Sequence, residues 1–344
     1  MSNQEYKLYK IQKGDTLDRI ASNLGISIDE LRDFHNRYCE LSDLLGGDKL
    51  PRNLSYILIP SESSFKNGII KLELEDNKKR YKITQDSQLF VLNKPITHSI
   101  QEIEWKVLYK KGLYNHQIEI KVLKKEEKQL NSQWNPLLDL LKKLNIPFEK
   151  LELELSLEGS ANKIINQNEI LSKWDNIKSK LENNPDFNEV IKTGDKDYSN
   201  SLPVLRKDIL FSLFFSRFYN SEKIYNQSSV IENDKPIYSV LFSGIESKAD
   251  IKQIIYKKDL HNVYFKQQFI NIRSKLSEIK SLYKSQFEKF TGIDADKINY
   301  SLSCTSDSIL SLKYGNLISS NALFIEKVHE KLYYTSNIKI EEIV

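Results

Sequence analysis

The side chains that could do chemistry here are five histidines, two cysteines and a few closely spaced carboxylates, and their spacing decides among them. His35, His98, His116, His261 and His329 stand alone, with no His-Glu-x-x-His pattern to set two imidazoles on one helical face around a metal. Asp294-Ala295-Asp296 has a spacing that could hold a divalent cation, but acids just past a helix commonly start the next turn. Glu152, Glu154 and Glu158 alternate with Leu151, Leu153, Leu155 and Leu157, so strand periodicity accounts for them. Cys304 lies near Asp307, yet a nucleophilic thiol needs an adjacent base, and a small apolar strand residue is the simpler reading. There is no Gly-x-Ser-x-Gly elbow, Walker loop or dinucleotide fingerprint, and eleven glycines leave little room for phosphate-cradling loops. The expectation is a non-catalytic protein with no cofactor and no metal.

Composition narrows the class further. The chain has 344 residues, 40% hydrophobic and 28% charged, enough for two or three domains with a sizeable core. Its 51 basic and 47 acidic residues give a net charge of +4, and clusters such as Lys78-Lys79-Arg80 are interrupted by acids. That is a solvated surface, not the one-sided basic stripe of a nucleic-acid binder. Cys39 and Cys304 are too few and too distant for a disulfide framework, which fits a reducing compartment. The N-terminal residues show no apolar h-region and no lipobox cysteine, so a cytoplasmic location is expected. The most apolar run, Ile209 to Phe218, is about half a membrane span and reads as a buried helix.

These residues need elements to position them, and the first sixty residues spell out a compact set. Tyr9 and Ile11 alternate with Lys10 and Gln12 as in a short strand, and Gly14-Asp15 makes a turn. Thr16 is placed as an N-cap, with Leu17, Ile20, Ala21 and Leu24 on one helical face and Gly25 as the stop. Ser27 and Glu30 have capping-box spacing for a second helix that turns Ile28, Leu31 and Phe34 inward. Tyr56 to Ile59 forms a closing strand before Pro60.

This β-α-α-β order, with Gly14-Asp15-Thr16-Leu17 at the turn and Ile59-Pro60 at the end, resembles a LysM module over residues 9–60. The resemblance implies a glycan groove between the loop before the first helix and the loop after the second. Here that groove would involve Gly14, Asp15, Thr16 and Leu17 on one side and Asn36 with Arg37 on the other. Two departures stand out: Asn36-Arg37 replaces the usual Asn-Pro, and Arg52-Asn53 replaces the usual Gly-Gln. The second loop also carries Cys39, Leu41, Leu44 and Leu45, which either complete the small core or offer a surface to a protein.

Beyond a polar linker at residues 61–68, the region 69–344 is expected to be a larger α+β domain built on antiparallel strands. Alternation marks Leu72 and Leu74, Tyr81 and Ile83, Ile103 to Tyr109, Ile118 to Val122, and Leu151 to Leu157. Helices are predicted over Pro136 to Leu144 and Glu169 to Leu181. A long helix of about 46 Å is predicted from Leu260 to Phe290, on Phe265, Phe269, Ile272, Leu276, Ile279 and Tyr283. Thr193 to Pro203 and Gln227 to Pro236 read as polar loops. Ile298 to Ser303 and Ile309 to Tyr314 read as a hairpin, and Leu323 to Tyr334 fits either period. The order of elements hints at two related halves, 69–200 and 201–344.

Two functions follow from the module. The first is a cytoplasmic adaptor or assembly component that docks protein partners, resembling in context the unexported LysM proteins of bacterial contractile injection and type VI secretion systems and carriers of their toxin cargo. The alternative is binding of peptidoglycan or chitin-type glycan at the cell wall.

Overall fold

The computed structural model describes residues 6–24, 28–51, 54–60, 76–112, 115–129, 135–155, 161–215, 229–242, 244–258, 261–311 and 315–343. Gly25, Ser27, Arg52, Asn53, the linker 61–68, Leu72, Leu74, Leu157 and Glu158 lie outside the described residues, as do the side chains of Glu30, Arg37 and Leu41.

The N-terminal module is β1 (Tyr6–Lys10), α1 (Leu17–Leu24), α2 (Ile28–Tyr38) and β2 (Tyr56–Pro60). The two strands pair antiparallel from Tyr6↔Pro60 to Lys10↔Tyr56. Helical spacing drives Leu17, Ile20, Ala21 and Leu31 into one core with Ile57, because both helices have only this face to bury. The inserted loop splits its leucines: Leu45 is 2% exposed and joins that core, while Leu44 is 44% exposed.

The larger region is α+β, and its described residues form one antiparallel sheet of eleven strands in the order β7-β6-β5-β4-β3-β13-β12-β11-β10-β9-β8. Its first group is β3 (Asn77–Val91), β4 (Lys94–Lys110), β5 (His116–Gln129), β6 (Lys150–Leu155) and β7 (Ala161–Ile164). The second is β8 (Ser229–Tyr238), β9 (Glu246–Lys258), β10 (Asn262–Arg273), β11 (Ser301–Ser311), β12 (Leu317–His329) and β13 (Leu332–Ile343). The groups are joined by the β13–β3 ladder, in register from Leu332↔Val91 to Ile343↔Arg80. β3 and β4 are linked through Leu92 and Asn93, both at positive φ (53° and 62°), the backbone of a two-residue hairpin whose twist matches its strands. The edges are blunted. β7 has four residues, and β8 carries Pro236 and a register shift beside Asp234, whose φ is 59°.

Helices α3 (Asn135–Asn145), α4 (Gln167–Leu181), α5 (Asn188–Ser199), α6 (Leu202–Lys207) and α7 (Ile209–Phe214) lie between the two groups in sequence, and α4 to α7 share a core with one face of the sheet. Phe214 packs edge-on against Tyr81 and Trp105, and Trp174 stacks on Tyr198. Gly194 lies against Trp174 so closely that an added Cβ would fall 2.4 Å from the indole ring.

Four local expectations change. The long helix does not exist: Asn262–Arg273 is strand β10, and only α8 (Leu276–Gln286) and the short α9 (Glu288–Thr291) are helical. Val263, Phe265, Gln267 and Phe269 are all buried at period two, so the polar Gln267 breaks an alternation that the aromatics then counterfeit as helix. Residues 193–199 belong to α5 and 202–203 to α6, because Tyr198 and Leu205 supply the buried face. Ser229–Tyr238 is the edge strand β8, where one-sided burial tolerates polar residues. The predicted hairpin around 298–314 is one strand, β11, whose inward positions include Cys304, Ser306 and Ser308. The ambiguous segment 323–334 resolves as the β12–β13 hairpin, while α3 and α4 match their predicted spans within about two residues.

Candidate functional site

The turn before α1 is built by Asp15. Its Oδ2 accepts hydrogen bonds from the Gln12 N–H (2.8 Å) and the Tyr9 hydroxyl (3.0 Å), tying the turn to the end of β1. The bond to Asp15, with some burial, raises the Tyr9 hydroxyl above its ordinary range. Thr16 caps α1: its Oγ1 accepts from the Arg19 N–H at 3.1 Å. Leu17 is fully buried, main chain included, so it belongs to the core and offers a ligand no surface. Gly14 sits at φ 95° with nothing within 4 Å of where a Cβ would stand, an open stretch of main chain that another molecule can approach closely.

On the opposite side α2 runs to Tyr38, so Asn36 and Arg37 lie in its last turn and not in the loop beyond it. The Asn36 side chain is a clamp. Its Nδ2 donates to the Leu45 carbonyl (3.0 Å) and its Oδ1 accepts from the Leu45 N–H (2.8 Å), which fixes the inserted loop against the helix. Leu45 and Leu17 belong to the same core, so the clamp holds the inserted loop on the core that α1 also packs against.

His35, which spacing alone presents as a lone histidine, proves to be the second fastener. It is 1% exposed; its Nδ1 accepts from the Leu58 N–H and its Nε2 donates to the Asp43 carbonyl, both at 2.9 Å. Those partners require the neutral Nε2–H tautomer and leave neither ring nitrogen for a ligand. The i, i+4 relation to Leu31 was the signal that His35 faces the core.

The side chains of Asp15, Thr16, Asn36 and His35 therefore all bond within the module, although Thr16 is exposed and Asp15 only half-buried. What the turn can offer a ligand is the open main chain at Gly14 beside the exposed Thr16, at the start of α1 where helical N–H groups lack intrahelical partners.

The other candidates resolve as structure. Asp294 caps a short turn by accepting from the Asp296 N–H (2.9 Å), and Asp296 pairs with Lys280 (3.3 Å). Cys304 points to the helix side of β11 and Asp307 to the opposite side, since they differ by an odd number of residues. Burial pushes the Cys304 thiol up to about 12, which keeps it protonated and unreactive near neutrality. His98 contacts Asp86 at 2.9 Å, and His329 accepts from the Lys331 N–H at 3.2 Å. Among the described residues, no group of three His, Cys, Asp or Glu could hold a metal ion. No described helix is long and apolar enough to cross a membrane.

Sequence reasoning missed one conspicuous charge. Glu326 is 0% exposed, and its carboxylate accepts from the Val240 N–H (2.7 Å), the Leu241 N–H (3.1 Å), the Tyr300 hydroxyl (2.9 Å) and the Ser239 hydroxyl. A buried carboxylate with four donors is a loop anchor that replaces hydration with fixed partners. Burial and the Glu326 charge raise the Tyr300 hydroxyl far above its ordinary range. Nothing in the alternation of β12 sets Glu326 apart, because it takes an inward place that an aliphatic residue would fill.

The LysM domain family matches residues 9–34, from the end of β1 through the Gly14 turn and α1 into α2. A LysM match suggests carbohydrate or peptidoglycan binding. No curated protein matches the sequence. Among solved structures the chain is similar to one described as lipid-protein interactions in lipovitellin, at 9% identity and a TM-score of 0.44, covering 80% of this chain and 26% of that one. This chain thus spans about a quarter of that chain's length, and a likeness at that score carries no argument about fold or ligand.

Proposed function

We propose that this chain is a non-catalytic LysM protein whose N-terminal module holds a glycan containing N-acetylglucosamine through main-chain contacts at the Gly14 turn. The observation that carries the reading is the open, positive-φ Gly14 beside side chains already committed to the fold. A groove of that kind reads the acetamido and hydroxyl groups of a neutral sugar with backbone donors and acceptors and needs no catalytic side chain. The family match supports the same ligand class.

The test is titration of the full chain with oligomers of N-acetylglucosamine, wild type against Gly14→Asn, a residue that tolerates positive φ while filling the open space. Binding weakened at least tenfold by the change, with the module still folded, is the expected result. No binding, or binding indifferent to Gly14→Asn, refutes it.

A second reading, docking to a protein as a cytoplasmic adaptor or assembly component of a bacterial secretion or contractile injection system, is favoured by exposed apolar side chains on the module. Leu8 is 66% and Tyr56 47% exposed on one face of the β1–β2 pair, and Leu44 is exposed in the inserted loop. Peptidoglycan and chitin fragments that fail to bind, together with a stoichiometric secretion-machine partner whose binding is lost on Leu8→Asp, would put this reading first.

A further inference from the structure

Among the described residues no helix fills the sheet face turned away from α4 to α7, and that face carries a trough of about 780 Å³ running from β9 across β10, β11, β12 and β13 to β3. Six strands at about 4.8 Å spacing make it roughly 24 Å long. Its chemistry is set by cross-strand register. Gln268 opposes Thr305, Thr305 opposes Leu323, and Leu323 opposes Asn337; on the next row Asn321 lies between Asp307 and Lys339.

The charged groups in the trough are largely compensated from within. Lys82 pairs with Glu102 (3.2 Å), Lys339 with Glu341 (2.6 Å), and Asp86 with His98 (2.9 Å). Asp307 accepts from the Tyr256 hydroxyl (2.6 Å), and the Lys266 ammonium sits 5.4 Å from the centre of the same ring. The neutral groups are the reverse. Gln268, Thr305, Asn321 and Asn337 are exposed, and their side chains have no hydrogen-bond partner among the described residues. Leu323, 38% exposed, stands among them as an isolated apolar spot, and Tyr256, 46% exposed, flanks one end.

We propose that this trough is a second glycan site, taking an uncharged chain of acetamido sugars. A polyanion would need free cations, and most of the lysines here already have partners. A protein interface would need a continuous apolar centre, which one leucine with Ile254 does not make. Side-chain amides and hydroxyls each donate and accept, which matches hydroxyl and acetamido groups in either orientation. Leu323 and Ile254 supply apolar surface for the C–H faces of sugar rings. The ligand class is shared with the LysM module and rests on that reading; two modest sites on one chain would then hold a polymer by avidity.

The experiment is isothermal titration of the full chain with the tetramer of N-acetylglucosamine, in four forms: wild type, Gly14→Asn, Thr305→Arg with Asn337→Arg, and Leu323→Ala. The three trough positions changed are all exposed, and circular dichroism checks that each variant is folded. Two sites per chain in wild type, one remaining in Gly14→Asn, and loss or at least tenfold weakening of the other in both trough variants is the expected pattern. One wild-type site removed by Gly14→Asn and indifferent to the trough changes overturns the trough and leaves the module standing. One wild-type site removed by the trough changes and indifferent to Gly14→Asn upholds the trough while the module's reading fails. No binding at all overturns both, and salt-sensitive binding of inorganic polyphosphate that is lost on Lys252→Glu overturns the choice of a neutral ligand.

Discussion

Replacing Asn36 by Ala removes both hydrogen bonds of the clamp and leaves the Leu45 N–H and C=O without partners. Each bond is worth about 1 kcal/mol net, and stranding a main-chain group away from water costs about 1–3 kcal/mol more. The site is half-buried, so water recovers part of that loss, and about 3 kcal/mol is expected. A module of about fifty residues without a disulfide has only about 3–5 kcal/mol to lose. The population of locally opened module should therefore rise roughly 100-fold. Hydrogen exchange by mass spectrometry on the full chain reads this directly: amides of α1 and α2 lose protection by about two orders of magnitude, while those of β3, β4 and β13 keep theirs. Asn36→Asp keeps the acceptor and loses the donor, so its loss should be similar or larger because a carboxylate then faces the Leu45 carbonyl. If Asn36→Ala exchanges like wild type yet no longer binds glycan, Asn36 is a ligand contact and the clamp argument is wrong.

Gly194→Ala drives a methyl group into the Trp174 ring, and overpacking of this kind should cost about 1–3 kcal/mol, seen as a lower denaturation midpoint. Cys304 should resist a thiol reagent at pH 8 in the native chain and label only after unfolding, because burial raises its pKa to about 12. Asp195 accepts from Lys178 Nζ (2.8 Å) and Trp174 Nε1 (2.8 Å), which hold its carboxyl below the usual range. That contribution is fully present above about pH 4, the unfolded value, and is lost as pH falls through the lower folded value. Acid titration of stability should therefore show a limb below pH 4 that is shallower in Asp195→Asn.

What could be read in advance followed from clean periodicity. Leu17, Ile20, Ala21 and Leu31 keep helical spacing with His35 the one buried polar side chain beside them among the described residues, and the module agrees with its pattern in order and spacing, as do Ile103 to Tyr109 and Leu151 to Leu155. The second half of the sheet was harder because its inward faces hold polar groups in aliphatic places. Gln253, Gln267, Ser306, Ser308, Ser320 and Ser336 are all buried, and Ser308 and Ser320 satisfy each other across β11 and β12 at 2.8 Å. Hydrogen bonding between strands makes Ser308, Ser320 and Ser336 compatible with burial, but it is invisible to a one-dimensional count of apolar positions, and the buried Ser306 hydroxyl lacks even that among the described residues. The candidate groove shows a similar limit. Asn36 and Asp15 were picked out by position, whereas their bonds to Leu45, Gln12 and Tyr9 depend on loop closure that spacing does not encode.

The β13–β3 ladder gives this sheet a late keystone. During synthesis β3 emerges with one side paired to β4 and the other bare, and it stays so until some 240 further residues have left the ribosome and β13 arrives. For that interval the nascent chain presents a fifteen-residue unpaired margin, long enough to recruit a neighbouring polypeptide. Folding should thus be slow and dependent on holding factors, and a premature stop between the end of β12 and Leu332 would release a product with two sticky margins, β3 and β12, instead of a merely shortened protein.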